Sequence, residues 1–124
     1  MEDVIVVTIN YRLHVLGFAS LPSMGISGNA GLKDQQMALE WIHENISNFN
    51  GDQENVCLFG SSAGGSSVYF QTLNPKSRKF FKNAICQSAG VFNIWALQRN
   101  AEEKTRRIAK IAGARSCQPK DIYE

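Results

Sequence analysis

One pentapeptide constrains this chain more than any other feature. Gly60-Ser61-Ser62-Ala63-Gly64 reads G-x-S-x-G. The apolar run Val56-Cys57-Leu58-Phe59 precedes it, and Gly65-Ser66-Ser67 then Val68-Tyr69-Phe70 follow it. An apolar run, a glycine-flanked turn and a small-residue segment describe a strand that bends sharply into a helix. The motif means something only in that context, because Gly and Ser are common in loops. The glycines let the backbone bend and let strand and helix approach closely. Ser62 then stands at the tip of a nucleophile elbow, its hydroxyl exposed above the C-terminal edge of a parallel sheet. The Ala63 amide points to where an oxyanion would form. The competing reading is a flexible polar turn, and the flanking strand and helix signals argue against it.

The rest of the chain alternates strands with helices. Val4-Ile5-Val6-Val7-Thr8-Ile9 is a continuous, mostly β-branched run, which suits a strand buried on both faces. A loop follows to about Asn29, punctuated by Gly17, Pro22, Gly25 and Gly28. From Gly31 to about Phe49 the pattern is helical, with Ala38, Trp41, Ile42, Ile46 and Phe49 recurring at three- and four-residue spacing. Asn50-Gly51-Asp52 stops it. The elbow helix is expected to end before Asn74-Pro75, and Ala84-Ile85-Cys86-Gln87-Ser88 is a second strand candidate. Asn100-Ala101-Glu102-Glu103 has the form of a capping box opening a helix that ends near Gly113. This order predicts a parallel α/β sheet.

Both ends read as cut. The first strand has no neighbour before it, and Pro119 to Glu124 resembles a helix that has barely begun. The expectation is that residues 1–124 are an internal part of one larger domain. The formal net charge of +2 is too small to argue for nucleic acid or an anionic membrane. No segment is long and apolar enough to cross a bilayer. Three cysteines cannot all pair. Cys57 and Cys86 sit in apolar runs and read as buried free thiols. Cys117 lies in a polar loop, either as a surface thiol or bonded to a segment outside this chain.

Together these segments resemble the type-B carboxylesterase and cholinesterase family. The resemblance rests on Asn10-Tyr11-Arg12-Leu13 with Leu16-Gly17-Phe18, then Asn29-Ala30-Gly31-Leu32-Lys33-Asp34-Gln35 with Ala38-Leu39-Glu40-Trp41-Ile42. It continues through Asn45-Ile46, Phe49, Gly51-Asp52 and Val56 into the elbow, and beyond it through Arg78, Phe81, Ala84-Ile85 and Gln87-Ser88. It covers nearly the whole chain, and the stretch around Trp95-Ala96 and Arg106 to Gly113 looks most like insect α-type esterases. The resemblance implies a fragment of a doubly wound, mostly parallel α/β-hydrolase sheet, truncated at both ends. It implies Ser62 as nucleophile and Ala63 as an oxyanion-hole amide, with the triad acid and histidine downstream of Glu124.

Two departures stand out. Ser61 occupies the place where most catalytic members of that family carry Glu, which removes a charge beside the site and puts a preference for cationic esters in doubt. Gln87-Ser88-Ala89 stands where they have Gln-Ser-Gly. By the same resemblance Trp95 aligns with a tryptophan that shapes an acyl pocket, with plain core packing as the alternative. Ser61 and Trp95 are the candidate substrate-binding residues. Ser88 either bonds near the elbow or is a simple strand residue.

A serine hydroxyl needs a base. In this fold the order is Ser, acid, His, and both histidines, His14 and His43, precede Ser62. His43 reads as a surface or boundary residue of its helix. Asp34 reads as structural, as a cap or an arginine partner. The cluster Lys104, Arg106, Arg107 and Lys110 is interleaved with Glu102 and Glu103 and reads as a solvated helix face. Asn45-Ile46-Ser47 has the form of a glycosylation sequon.

The resulting expectation is a serine carboxylester hydrolase working through an acyl-enzyme, catalytic only in a full-length parent. Its partner is a small-molecule carboxylic ester. No cofactor, metal, nucleic acid or membrane segment is called for, and the residues specify neither oligomeric state nor compartment. The alternative is a non-catalytic adhesion protein of the same fold, and an intact G-x-S-x-G favours the enzyme.

Overall fold

A computed structural model describes residues 3–114. Among these, residues within Met1–Tyr11 and Leu32–Leu97 form one compact unit, and those within Arg12–Gly31 and Gln98–Glu124 form another. The Cys117 thiol and the helix start at Pro119 fall outside the described residues.

The first unit is built on a parallel pair of strands, β1 (Cys57–Ser61) and β2 (Asn83–Gln87). The register sets Cys57 opposite Asn83, Phe59 opposite Ile85 and Ser61 opposite Gln87. Parallel strands need a crossover. It is supplied by α3 (Ala63–Leu73) and the short α4 (Pro75–Arg78). Side chains alternate along β1, so Leu58 turns inward while Cys57, Phe59 and Ser61 face outward. Leu58 and Val56 pack against a core of Leu39, Phe80 and Phe81.

Leu39 comes from α2 (Ala30–Asn45), which continues as a 3-10 turn over Ile46–Phe49. Its buried stripe is Gln35, Leu39, Ile42 and Ile46. Trp41 and Phe49, expected on that stripe, are exposed and pack on each other with ring centroids 6.3 Å apart. Asn50 then takes a left-handed conformation (φ 60°) that ends the turn.

A buried amide network joins α2 to α3. Gln71 Nε2 donates to the Leu32 carbonyl (2.9 Å) and to Gln35 Oε1 (3.1 Å). Ser77 Oγ donates to Gln71 Oε1 (2.6 Å), and Gln35 Nε2 donates to Ser67 Oγ (3.1 Å). Asn74 Nδ2 donates to Gln36 Oε1 and to Ser77 Oγ, both at 3.0 Å, while Asn74 Oδ1 accepts from the Lys76 amide and caps α4. Gln71 is 2% exposed and Ser77 fully buried. Such groups are tolerated inside only because each has a partner.

In the second unit the expected loop holds a short helix, α1 (His14–Phe18), and a 3-10 turn at Pro22–Met24 closed by an antiparallel bridge between Leu21 and Ile26. The helix α5 (Ala101–Ile111) docks on that turn. Thr105 Oγ1 accepts from the Ser20 amide (3.0 Å), and Arg106 pairs with Glu102 (2.7 Å) and donates to Ser23 Oγ (3.1 Å). The basic cluster is thus not wholly solvated.

Three expectations need correction. The run Val4–Ile9 joins no ladder among the described residues, and Val4 is 71% exposed. A strand exists only through a hydrogen-bonded neighbour, which local sequence cannot provide. Asn100 precedes α5 but makes no side-chain cap, its backbone (φ −108°, ψ 46°) lying away from capping geometry. Cys57 and Cys86 are free but exposed. His43 is a boundary residue as expected: it is half-buried, its ring lies 5.3 Å from that of Phe80, and its Nδ1 is buried without a hydrogen-bond partner.

Candidate active site

The five motif residues sit where β1 becomes α3. Ser61 is the last residue of β1, Ser62 the N-cap and Ala63 the first helical residue. Ser62 has φ 53° and ψ −119°. These are the angles of the first central residue of a type II′ turn, a position that belongs to glycine. A non-glycine residue there is strained by about 1–3 kcal/mol. The strain is held from both sides. The Ser62 amide donates to the Gln87 carbonyl at the end of β2 (2.9 Å), and the Ser62 carbonyl accepts from Ser66 (3.0 Å).

Two glycines make the turn possible by what they lack. A Cβ on Gly60 would lie 2.6 Å from the carbonyl carbon of Gly64. A Cβ on Gly65 would lie 2.6 Å from Ala89 Cβ and 2.8 Å from the Gln87 carbonyl oxygen. At Gly64 an added Cβ would meet nothing within 4 Å.

The consequence is an exposed hydroxyl on a fixed backbone. Ser62 makes no side-chain cap to its own helix, so its hydroxyl is left for other work. The amide of Ala63 belongs to the first turn of α3, where backbone donors have no intrahelical acceptor and the helix dipole is positive. A serine hydroxyl beside such donors can attack a carbonyl carbon and have the resulting oxyanion held. Ser61 is exposed and brings no charge. Ser88 has a positive φ (49°) and follows directly on the residue bonded to Ser62. Trp95 is 55% exposed, in a turn-rich stretch with exposed Phe92 and Ile94. The structure therefore brings Ser61, Ser62, Ala63 and Ser88 together at the C-terminal ends of β1 and β2. It does not pack Trp95 into a core.

Sequence reasoning missed Ser66 and Gln71, both buried polar residues on α3. The available signal was a polar residue where the helical spacing asks for an apolar one. Among the described residues no group of three or more His, Cys, Asp or Glu could hold a metal ion, and no helix is long and apolar enough to cross a membrane.

The carboxylesterase family model matches residues 1–124. The chain belongs to the carboxylesterase family. It is 46% identical to cholinesterase 2 of Branchiostoma lanceolatum over 94% of its own length and 34% of that protein's. It is 44% identical to esterase E4 of Myzus persicae over 99% of its length and 22% of that protein's, and 45% identical to the bile salt-activated lipase of Mus musculus over 90% and 18%. The carboxylesterase chain thus spans between 18% and 34% of the length of these curated relatives. Its β1–α3–α4–β2 unit is a piece of the α/β-hydrolase fold of that family.

Proposed function

We propose that this carboxylesterase-family chain carries the nucleophile of a serine carboxylester hydrolase. The observation that carries the reading is the backbone of Ser62, a serine held where glycine would be relaxed, at the strand-to-helix junction. A residue kept against its local preference marks a functional position. Names of relatives such as esterase E4 and bile salt-activated lipase support an ester as substrate.

In this reading Ser62 Oγ attacks the ester carbonyl, the Ala63 amide donates to the oxyanion, and the alcohol leaves to give an acyl-enzyme that water then hydrolyses. The base and the acid that orients it come from parts of the protein beyond residues 1–124. His14 and His43 do not serve: both precede Ser62 in a fold whose triad histidine follows it. The His43 ring moreover lies against that of Phe80. Ser61 leaves the alcohol side uncharged, which favours neutral over cationic esters. Trp95 bounds the acyl side.

The test is a fluorophosphonate probe on a full-length protein carrying this chain. Labelling should map to Ser62, and Ser62→Ala should abolish both labelling and ester turnover. Label on another residue, or full turnover in the alanine variant, would overturn the assignment.

A further inference from the structure

Three contacts join the elbow to the end of β2 and the segment that follows it, in matching order. The Ser62 amide donates to the Gln87 carbonyl at 2.9 Å. Gly65 lies so close to Ala89 that a Cβ would collide with it. Ser66 Oγ donates to the Gly90 carbonyl at 3.1 Å. Between the first and second of these lies Ser88, whose φ of 49° is unusual for a residue with a side chain. A turn of that shape persists only when its surroundings over-determine it.

Ser66 makes the one side-chain hydrogen bond among these tethers, and it is 2% exposed. A helical serine has a local alternative, bonding the carbonyl four residues back. Here the hydroxyl does not fold back on its own helix but reaches across to the Gly90 carbonyl. Its neighbour Ser67 differs: its hydroxyl accepts from Gln35 and so faces the scaffold of α2.

We propose that Ser66 is a positioning residue for the site at Ser62: its hydroxyl pins the Gly90 carbonyl and so holds the Ser88–Gly90 turn against the elbow. The role rests on the serine-esterase reading. Gly90 is followed by buried Val91 and then by the exposed stretch that reaches Trp95. Pinning Gly90 therefore fixes where that stretch departs from the nucleophile. Ser66→Ala leaves a carbonyl without its donor and frees the turn to shift. An acetyl group barely senses such a shift, whereas a larger acyl group does.

The experiment compares p-nitrophenyl acetate and butyrate on the full-length protein. Ser66→Ala should raise the butyrate-to-acetate ratio of kcat/KM by about 2- to 10-fold, the scale of one net hydrogen bond. Ser62 should still be labelled stoichiometrically by the fluorophosphonate probe. Ser67→Ala, on the same helix, should lower the melting temperature and leave the ratio alone. Ser66→Cys fills the site with a slightly larger group that is only a weak donor and should move the ratio in the same direction, which covers the case of an alanine variant that does not fold. An unmoved ratio in both Ser66 variants, or an equal change from Ser67→Ala, overturns the proposal. A parent protein that the probe never labels overturns the esterase reading instead.

Discussion

Val4–Ile9 and Cys57–Gln87 are both rich in apolar, strand-forming residues, and they come to different ends. The second stretch contains both strands of a parallel pair, the crossover between them and the glycines that let the parts close up. The first contains one strand's worth of side chains and no partner, and Val6 stands 69% exposed. Strand propensity describes a residue's fit to a pleated, half-buried surface, not a conformation it adopts by itself. A segment that carries its own neighbours can take shape from local signals. One whose neighbours are elsewhere cannot.

The comparison breaks first at Gly65. If the elbow stands on close approach, Gly65→Val should destabilise the full-length protein by about 3 kcal/mol, since backbone atoms of Gly60 and Gln87 and the Ala89 methyl surround the added carbons. Chemical denaturation measures this, and a loss below 1 kcal/mol would mean the elbow tolerates separation. Next comes the network behind it. Gln71→Ala strips partners from Gln35, Ser77 and the Leu32 carbonyl together, and should cost about 2 kcal/mol. A near-neutral result would show that water replaces the amide. The smallest effect belongs to the other region. Val6→Thr in the full-length protein should cost about 1 kcal/mol if that position and its new hydroxyl are buried there. A change near zero would leave the run exposed in the whole protein as well, and the contrast would be permanent.

The legible parts were those with a short-range physical cause. β1, α3 and β2 lie within one or two residues of the positions expected from Val56–Phe59, the small residues after Gly64 and Ala84–Ser88, because period and punctuation act locally. The turn at Ser62 was readable for the same reason. The Gln35–Gln71–Ser77 network was not, since its members are up to 42 residues apart and glutamine reads as a surface residue. Gln35 nonetheless falls on the stripe Leu39, Ile42 and Ile46, which was the one available clue. The capping box at Asn100 misled because it specifies composition, while capping also needs an extended backbone that residue 100 does not have.

The backbone at Ser62 also says something about descent. With φ 53° and ψ −119° the position is relaxed for glycine and strained for every residue with a Cβ. Ser62→Gly should therefore raise the unfolding free energy by about 1–2 kcal/mol while ending turnover, whereas Ser62→Ala should end turnover without that gain. A serine codon can become a glycine codon by a single base change. A duplicated copy of this gene released from chemistry would thus have a short, downhill path to a more stable protein, and the same fold kept for adhesion would be expected to take it. On the esterase reading, a serine at residue 62 sets chemistry against folding stability.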